Sequence, residues 1–419
     1  MFFNGNSMSI PYTRFVIRLG RRKEGVQLKK PHLYEIDLMR ACIILGVICV
    51  HVLSGFNVKT PTDSGLNIAS GILIMTFHFT REAFMFITGL VLFYTYYDRS
   101  FSVLSFWRKR LLLIAIPYVA WTTIYILFEG TYLTKFQWTR SYLIHEFTGG
   151  LLTANQFFMY FLLVSMQLYV LFPLMVRFMR RFERFHVWIF AVSFAVEIAI
   201  MIWNQASLQF VNIYQLPAWL GDLVRYRDRI IFTYEFWFIA GALMAIHYTK
   251  IKAWALSHAR MVVAVLCGAW LALFGFYFLN RFAFALVGQR VLDTLQPIMV
   301  PYSLVVALVL WLLGLKWQNV SKEPNMHAVS KVIRFFGGVS FGIFLIHPIA
   351  LHFVDKLSQL VHGPLAVHFA FVPLWIALTY VLSGGAAYCI GKIPYLGYIV
   401  GEKANWPRVQ KSHPVSNVV

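Results

Sequence analysis

Charged residues are scarce in this sequence. Asp, Glu, Lys and Arg make up 13% of its 419 residues, whereas 59% are hydrophobic and 17% are aromatic. An average soluble domain contains roughly 25% charged residues. This composition excludes an ordinary soluble protein and indicates one that is embedded in a membrane.

Cysteines and the motifs of soluble enzymes are also few or absent. The four cysteines, Cys42, Cys49, Cys267 and Cys389, fall within apolar runs, where a thiol behaves as a small hydrophobic group. No C-x-x-C or comparable ligand spacing occurs, so we expect no metal. The sequence contains no GxSxG elbow, HExxH helix or phosphate-binding glycine loop. Its first 33 residues are basic and lack the apolar core of a removable signal peptide.

Long apolar runs are present instead. A helix needs about 20 apolar residues to cross a bilayer, and it satisfies its own backbone hydrogen bonds there. Ten runs approach this length, at about 35–55, 70–96, 111–130, 156–178, 186–203, 230–248, 261–280, 297–315, 335–356 and 366–391. We predict an all-α polytopic bundle of about ten transmembrane helices over residues 34–395, flanked by tails 1–33 and 396–419.

Positive charge is unevenly distributed along the chain. The formal net charge is +20, and most Lys and Arg lie in the N-terminal tail, the C-terminal tail and every second loop. The remaining loops hold far fewer. By the positive-inside rule, both termini are predicted to be cytoplasmic. The basic segments would bind anionic membrane lipids, and this distribution does not require nucleic acid as a partner.

The first apolar run, "EIDLMRACIILGVICVHVLSG", retains three polar side chains. Arg40 and His51 are eleven residues apart, which places them on one helical face about 16 Å apart along the axis. Asp37 lies one turn before Arg40 and can pair with it. Ionisable residues inside a membrane are candidates for function. The alternative is structural: Arg40 extends to the inner headgroups and His51 caps the outer end.

Two further runs carry ionisable residues. The second contains "TFHFTREAFMFITGL", in which Arg81 and Glu82 are adjacent and His78 lies one turn before Glu82. The ninth contains "VSFGIFLIHPIALHF", in which Pro348 frees a backbone carbonyl beside His347 and a kink would let that histidine face a cavity. Charge pairing within the bundle and ordinary helix packing are the structural alternatives for these residues.

Four segments together resemble the acyltransferase family 3 membrane proteins. "IDLMRACIILGVICVH" is similar to that family's opening pattern of Asp-x-x-Arg, ten residues and His. "REAFMFITGLVLFY" resembles its second helix, with Thr88 in place of the usual Ser. "FWRKRLLLIAIPYVAW" and "VSFGIFLIHPIAL" resemble two later segments in the same order. The resemblance covers roughly residues 33–395 and is closest to the branch that contains the membrane protein of poly-N-acetylglucosamine biofilm operons.

Two departures from the family pattern affect this interpretation. Leu113 stands where many relatives have the second Arg of an RxxR pair, which weakens the case for donor-phosphate contacts at that loop. No esterase-like domain follows the last predicted span, so we expect the membrane unit to act alone.

The resemblance implies transfer of an acetyl or succinyl group from cytoplasmic acyl-CoA to a hydroxyl of a cell-surface polysaccharide. The implied catalytic residues are His51, Arg81, Glu82 and His347. The implied donor-binding residues are Asp37, Arg40 and Arg110. The expected partners are acyl-CoA, the glycan acceptor, membrane lipids and a glycan synthase complex. An exporter or flippase of the polysaccharide and a non-catalytic synthase scaffold remain alternatives.

Overall fold

The first apolar run forms one uninterrupted helix, α1 (Tyr34–Asn57). The structure is a computed structural model, and it describes residues 32–402. Most of α1 is buried on all sides, which is typical of a helix at the centre of a bundle. Most of the predicted N-terminal tail and most of the predicted C-terminal tail lie outside the described residues.

The described residues form helices and connecting loops, without a β-strand. The other helices are α2 (Gly65–Phe77), α3 (Thr80–Tyr96), α4 (Val103–Glu129), α5 (Arg140–Thr153), α6 (Tyr160–Arg181), α7 (His186–Ala206), α8 (Ala218–Arg225), α9 (Glu235–Ile246), α10 (Tyr248–Ser257), α11 (Ala259–Phe278), α12 (Met299–Val320), α13 (His327–Gly338), α14 (Ser340–Ser358), α15 (Leu365–Ala370) and α16 (Val372–Lys392). Short 3-10 turns connect several of them, and a π-helical turn, Leu279–Ala283, extends α11.

Eight helices in the described part of the chain are long and apolar enough to cross a membrane: α1, α4, α6, α7, α11, α12, α14 and α16. The α7 and α11 helices are the least buried of these, and they expose large apolar side chains where lipid would contact them. The predicted all-helical membrane bundle is confirmed. The count of ten spans stays a prediction, because α9 has only 12 residues and the second predicted span is divided.

The second predicted span is broken at His78 and Phe79. Helix α2 begins with Ser64 as its N-cap, whose hydroxyl accepts a hydrogen bond from the backbone N–H of Asn67 at 3.2 Å, and it ends at Phe77. Helix α3 begins at Thr80, so that Arg81 and Glu82 occupy its first turn. The break therefore places a helix N-terminus, with its unpaired N–H groups, inside the bundle.

Helix α3 packs closely along α9, and two glycines make this approach possible. A Cβ on Gly89 would meet the backbone carbonyl of Phe238, and one on Gly241 would meet the backbone carbonyl of Phe86. Side chains can move away from a new methyl group, but two packed helix backbones cannot do so locally. This contact fixes the position of α3 and of the two charged residues at its start.

The bundle has two ends, which we name by α1. The loop face is the end where α1 finishes, and there Lys59 pairs with Asp355 at 2.6 Å, while Arg281 pairs with Asp63. The tail face is the end where α1 begins. There the hydroxyl of Tyr248 donates a hydrogen bond to the carboxylate of buried Glu35. Orientation of these faces across the membrane stays a prediction.

Candidate active site

Two predicted catalytic histidines lie against each other in the half of the bundle nearer the loop face. The rings of His51 in α1 and His347 in α14 are 5.3 Å apart between centroids and are inclined by 23°. Phe158, just before α6, stacks on His51 at 3.9 Å and lies 5.3 Å from His347. The three rings form a triangle of nearly parallel planes, which restricts the orientation of the His51 imidazole.

Pro348 determines how the His347 ring is held. Proline lacks the N–H that would bond the carbonyl of Phe344 one turn earlier. The Nδ1 of His347 lies 2.7 Å from that carbonyl oxygen and can take the place of the missing donor. A carbonyl only accepts hydrogen bonds, so Nδ1 carries the proton in the neutral ring, and Nε2 is left with a lone pair. This Nε2 is buried and has no hydrogen-bond partner among the described residues.

His51 lies where two cavities meet. The first, which we call the aromatic cavity, has a volume of about 730 Å³ and is lined by His51, Ser54, Lys59, Phe128, Tyr132, Phe157, Phe158, His352, Asp355, His368 and Trp375, among others. The second, the arginine cavity, has a volume of about 520 Å³. It shares His51, Phe157 and Phe158 with the first. The His51 imidazole has no hydrogen-bond partner within residues 32–402, so it is available to a ligand from either cavity.

Arg81 projects from the first turn of α3 into the arginine cavity. Its guanidinium donates a hydrogen bond to the hydroxyl of Thr294, lies 3.7 Å from the carboxylate of Glu82 and stands over the ring of Tyr234 at 5.7 Å. Tyr160 lines the same cavity. The Nε of Arg81 is buried and has no partner in the described structure. Arg81 is therefore held in place while its Nε–H donor is unused.

Glu82 occupies a different position from its neighbour. It is 4% exposed, lies behind the cavity wall, and its Oε2 has no hydrogen-bond partner among the described residues. Glu82 can balance the charge of Arg81, and direct contact with a ligand in the arginine cavity would require it to move.

The predicted donor-binding residues lie toward the tail face. Arg40 interacts electrostatically with Asp37, with Tyr169 and with Arg110, and the last of these interactions is repulsive. The Arg110 guanidinium stands over the ring of Tyr96 at 5.8 Å, and its buried Nε has no partner in the described structure. Two guanidiniums close enough to repel each other would be stabilised by an anion between them. The uninterrupted α1 keeps Arg40 and His51 about 16 Å apart along its axis.

The structure thus divides the seven candidate site residues into two groups. His51, His347, Arg81 and Glu82 come together around the cavities, whereas Asp37, Arg40 and Arg110 form a second group toward the tail face. Sequence reasoning did not select four further residues that contact the first group: His78, Phe158, Tyr160 and Thr294. The position of His78, one turn before Glu82, was the available signal for it. The other three lie far from the motifs in sequence.

Comparison with known proteins gives a family match. The family model described as an acyltransferase domain, that of acyltransferase family 3, matches residues 33–388, which is most of the chain. The match extends from the start of α1 into the last long helix, and it includes every candidate site residue. No curated protein and no solved structure matches the chain significantly.

Proposed function

The chain belongs to acyltransferase family 3, and we propose that it moves an acetyl or succinyl group from cytoplasmic acyl-CoA to a hydroxyl of an extracytoplasmic cell-surface polysaccharide. Family membership makes it an acyltransferase and a multi-pass membrane protein. The donor, the acyl group and the acceptor are the proposed part. They agree with a bundle that carries an anion-attracting group of arginines near one face and a histidine centre nearer the other.

The observation that carries the proposal is the position of His51, between two cavities and without a hydrogen bond to the rest of the described protein. A sugar hydroxyl is a weak nucleophile near neutral pH, and a neutral imidazole can accept its proton. The hydroxyl oxygen would then attack the thioester carbonyl carbon as the carbon–sulfur bond breaks. The proton taken by His51 can return to the departing thiolate, which balances the reaction.

His51 could also act as a nucleophile. In that case its ring nitrogen bonds to the acyl carbon, the thiol leaves, and the sugar hydroxyl attacks the acyl-imidazole in a second step. Both routes need the ring to be fixed in one orientation, and the contacts with Phe158 and His347 supply this. Under this proposal His347 is a positioning residue for His51.

The donor enters from the tail face in this proposal. The phosphates of CoA would bind Arg40 and Arg110, and Asp37 would orient Arg40. The separation of about 16 Å between Arg40 and His51 along α1 leaves room for the extended arm that joins the phosphates to the thioester. Arg81 lines the arginine cavity together with His51, and its guanidinium can stabilise negative charge that develops on the carbonyl oxygen.

The test compares transfer with export in cells that carry the His51→Ala variant. We expect the ester content per sugar of the surface polysaccharide to fall to background, while the total exported sugar is retained. His258→Ala is the matched control, because His258 is exposed between α10 and α11 and lines neither cavity. Normal ester content per sugar with reduced export in His51→Ala cells would instead identify an exporter.

A further inference from the structure

Four arginines line the arginine cavity. Arg81 comes from α3, Arg227 and Arg229 come from the loop before α9, and Arg290 comes from the loop before α12. Asp228 and Asp293 also line it, so the charged side chains at its wall carry an excess of two positive charges. Two loops distant in sequence thus bring positive charge to one side of His51.

Not all of this positive charge is used within the protein. The Nε of Arg81 and the Nε of Arg229 are buried and have no hydrogen-bond partner among the described residues. Arg229 does contact its neighbours: its guanidinium donates to the carbonyl of Thr153, and its Nε forms an ion pair with the carboxylate of Asp228 at 3.6 Å. Buried donors are nearly always paired in folded proteins, because leaving one without a partner is costly. Arg81 and Arg229 line the cavity, and each guanidinium has one hydrogen bond within the described protein, so an anion in the cavity can supply further acceptors.

The wall that carries these arginines is held by side-chain hydrogen bonds. Arg227 Nε donates to the Oδ1 of Asn204 at 2.6 Å, and the Nδ2 of Asn204 donates to the carbonyl of Leu295 at 2.7 Å. Buried Asn280 donates to Gln296 at 2.8 Å. These bonds connect the loop before α9 to the loop before α12. The cavity is therefore formed before a ligand binds, which reduces the entropy lost on binding.

The aromatic cavity on the other side of His51 differs in charge. Its lysine, Lys59, is paired with its aspartate, Asp355, at 2.6 Å. Its remaining wall is mostly aromatic and aliphatic, with histidines and serines. Uncharged sugar rings suit such a surface, since an aromatic side chain offers an apolar face. Of the two cavities, the arginine cavity is therefore the one whose wall carries excess positive charge.

We propose that the arginine cavity binds a phosphate or carboxylate group carried by the substrate that reacts at His51. Guanidinium groups bind these anions through paired, charge-assisted hydrogen bonds. The inference rests on the proposed function for the identity of that substrate. The anion has two sources: an acidic sugar of the acceptor, or the free carboxylate of a dicarboxylic acyl group such as succinyl. Either source places the anion within reach of Arg81 while the reacting atoms lie at His51.

The first test measures binding without any acyl donor. The purified full chain in detergent is titrated with glucose 1-phosphate and with uncharged methyl glucoside by calorimetry at fixed ionic strength. We expect the phosphate probe to bind at least about tenfold more tightly, the effect of a charge-assisted hydrogen bond. Arg290→Glu should weaken this binding by roughly fivefold, since Arg290 is exposed and partly screened. If Arg290→Glu fails to fold, Arg290→Gln should give a smaller loss in the same direction.

Arg225→Glu is the matched control. Arg225 is exposed at the end of α8, just before the loop that carries Arg227 and Arg229. It stands over the ring of Tyr214 at 5.9 Å, much as Arg290 stands over Phe210 at 4.8 Å, but it does not line the cavity. The Arg225→Glu variant should bind the phosphate probe as tightly as the unchanged chain does. Equal affinity for the two probes, or equal losses in Arg290→Glu and Arg225→Glu, would overturn the proposal.

A second measurement identifies the source of the anion. Thiol release from succinyl-CoA and from acetyl-CoA is compared in the unchanged chain and in Arg290→Glu. A selective loss with succinyl-CoA assigns the anion to the acyl group, and an equal loss with both donors, accompanied by weaker glucose 1-phosphate binding, assigns it to the acceptor. Phosphate binding without any thiol release would leave this site standing while the proposed transferase activity fails. Thiol release that is unaffected by Arg290→Glu, together with equal affinity for glucose 1-phosphate and methyl glucoside, would leave the transferase activity standing while the proposed anion site fails.

Discussion

The two ends of α1 carry polar side chains in contrasting environments. Toward the tail face, Glu35 accepts a hydrogen bond from Tyr248, and Arg40 has Asp37 beside it. Toward the loop face, His51 has only ring contacts among the described residues, and its neighbour His347 has an unpaired Nε2. One uninterrupted helix thus connects a group of largely paired charges to a centre where hydrogen-bonding capacity is unused.

This difference separates structural from reactive polar groups. A buried polar group without a partner costs free energy, so a folded protein tolerates it chiefly where a ligand completes the bond. Around His51 this applies to His78 Nδ1, Arg81 Nε and His347 Nε2. Toward the tail face it applies to Arg110 Nε, which belongs to the proposed donor site, and to Trp311 Nε1, which packs beside Tyr248. Unpaired groups of this kind thus occur at both places where we expect substrate to bind.

The largest effect is expected from His51→Ala in purified protein. Loss of a general base slows a reaction by about 10²–10⁴-fold, whereas donor affinity should be unchanged because the donor phosphates lie about 16 Å away along α1. Turnover and acyl-CoA affinity are measured separately, by thiol release and by calorimetry, with His258→Ala as the control. A parallel loss of donor affinity would contradict the separation of the two ends.

Arg40→Ala should give the opposite pattern. Removing a charge-assisted contact costs roughly 1.5–3 kcal/mol, so acyl-CoA affinity should fall by at least about tenfold. Turnover at saturating donor should change much less, since Arg40 does not contact the reacting atoms. Lys250→Ala, at an exposed cation elsewhere on the tail face, is the control. Unchanged donor affinity in Arg40→Ala would make Arg40 a structural residue.

Gly241→Ala tests whether the packing of α3 against α9 positions the centre near the loop face. The added methyl group would meet the backbone of Phe86, and overpacking of this kind costs about 1–3 kcal/mol. We expect a lower unfolding temperature in detergent and reduced turnover. Gly268→Ala in α11 is the control, because nothing lies within 4 Å of its new methyl group. Equal stability of the two variants would show that the α3–α9 contact is looser than described.

Tyr248→Phe should have the smallest effect on turnover. It removes the hydrogen bond to the buried Glu35 carboxylate, and a bond to a charged group contributes about 1.5–3 kcal/mol to stability. The unfolding temperature should fall by a few degrees, while thiol release and acyl-CoA affinity stay unchanged. A loss of turnover comparable to that of His51→Ala would mean that Glu35 and Tyr248 take part in the reaction.

Several elements could be predicted from sequence because they depend on local pattern. The apolar runs predicted a helical membrane bundle, and the spacing of Asp37, Arg40 and His51 placed them along one helix. The proline after His347 predicted a freed carbonyl, which the structure shows bonded to the histidine ring itself. The four motifs also predicted the family, which the match over residues 33–388 confirms.

The sequence by itself determined the helical class, the apolar surface for lipid and the chemistry available on each helix, because hydropathy and helical periodicity act over a few turns. Only the tertiary structure decided the break at His78 and Phe79, where neither proline nor glycine marks a helix end in the sequence. It also decided that Phe158 stacks on His51, and that loops about 60 residues apart line one cavity with arginines. Such contacts join residues far apart in the chain, and they form only when packing of the helices brings the loops together.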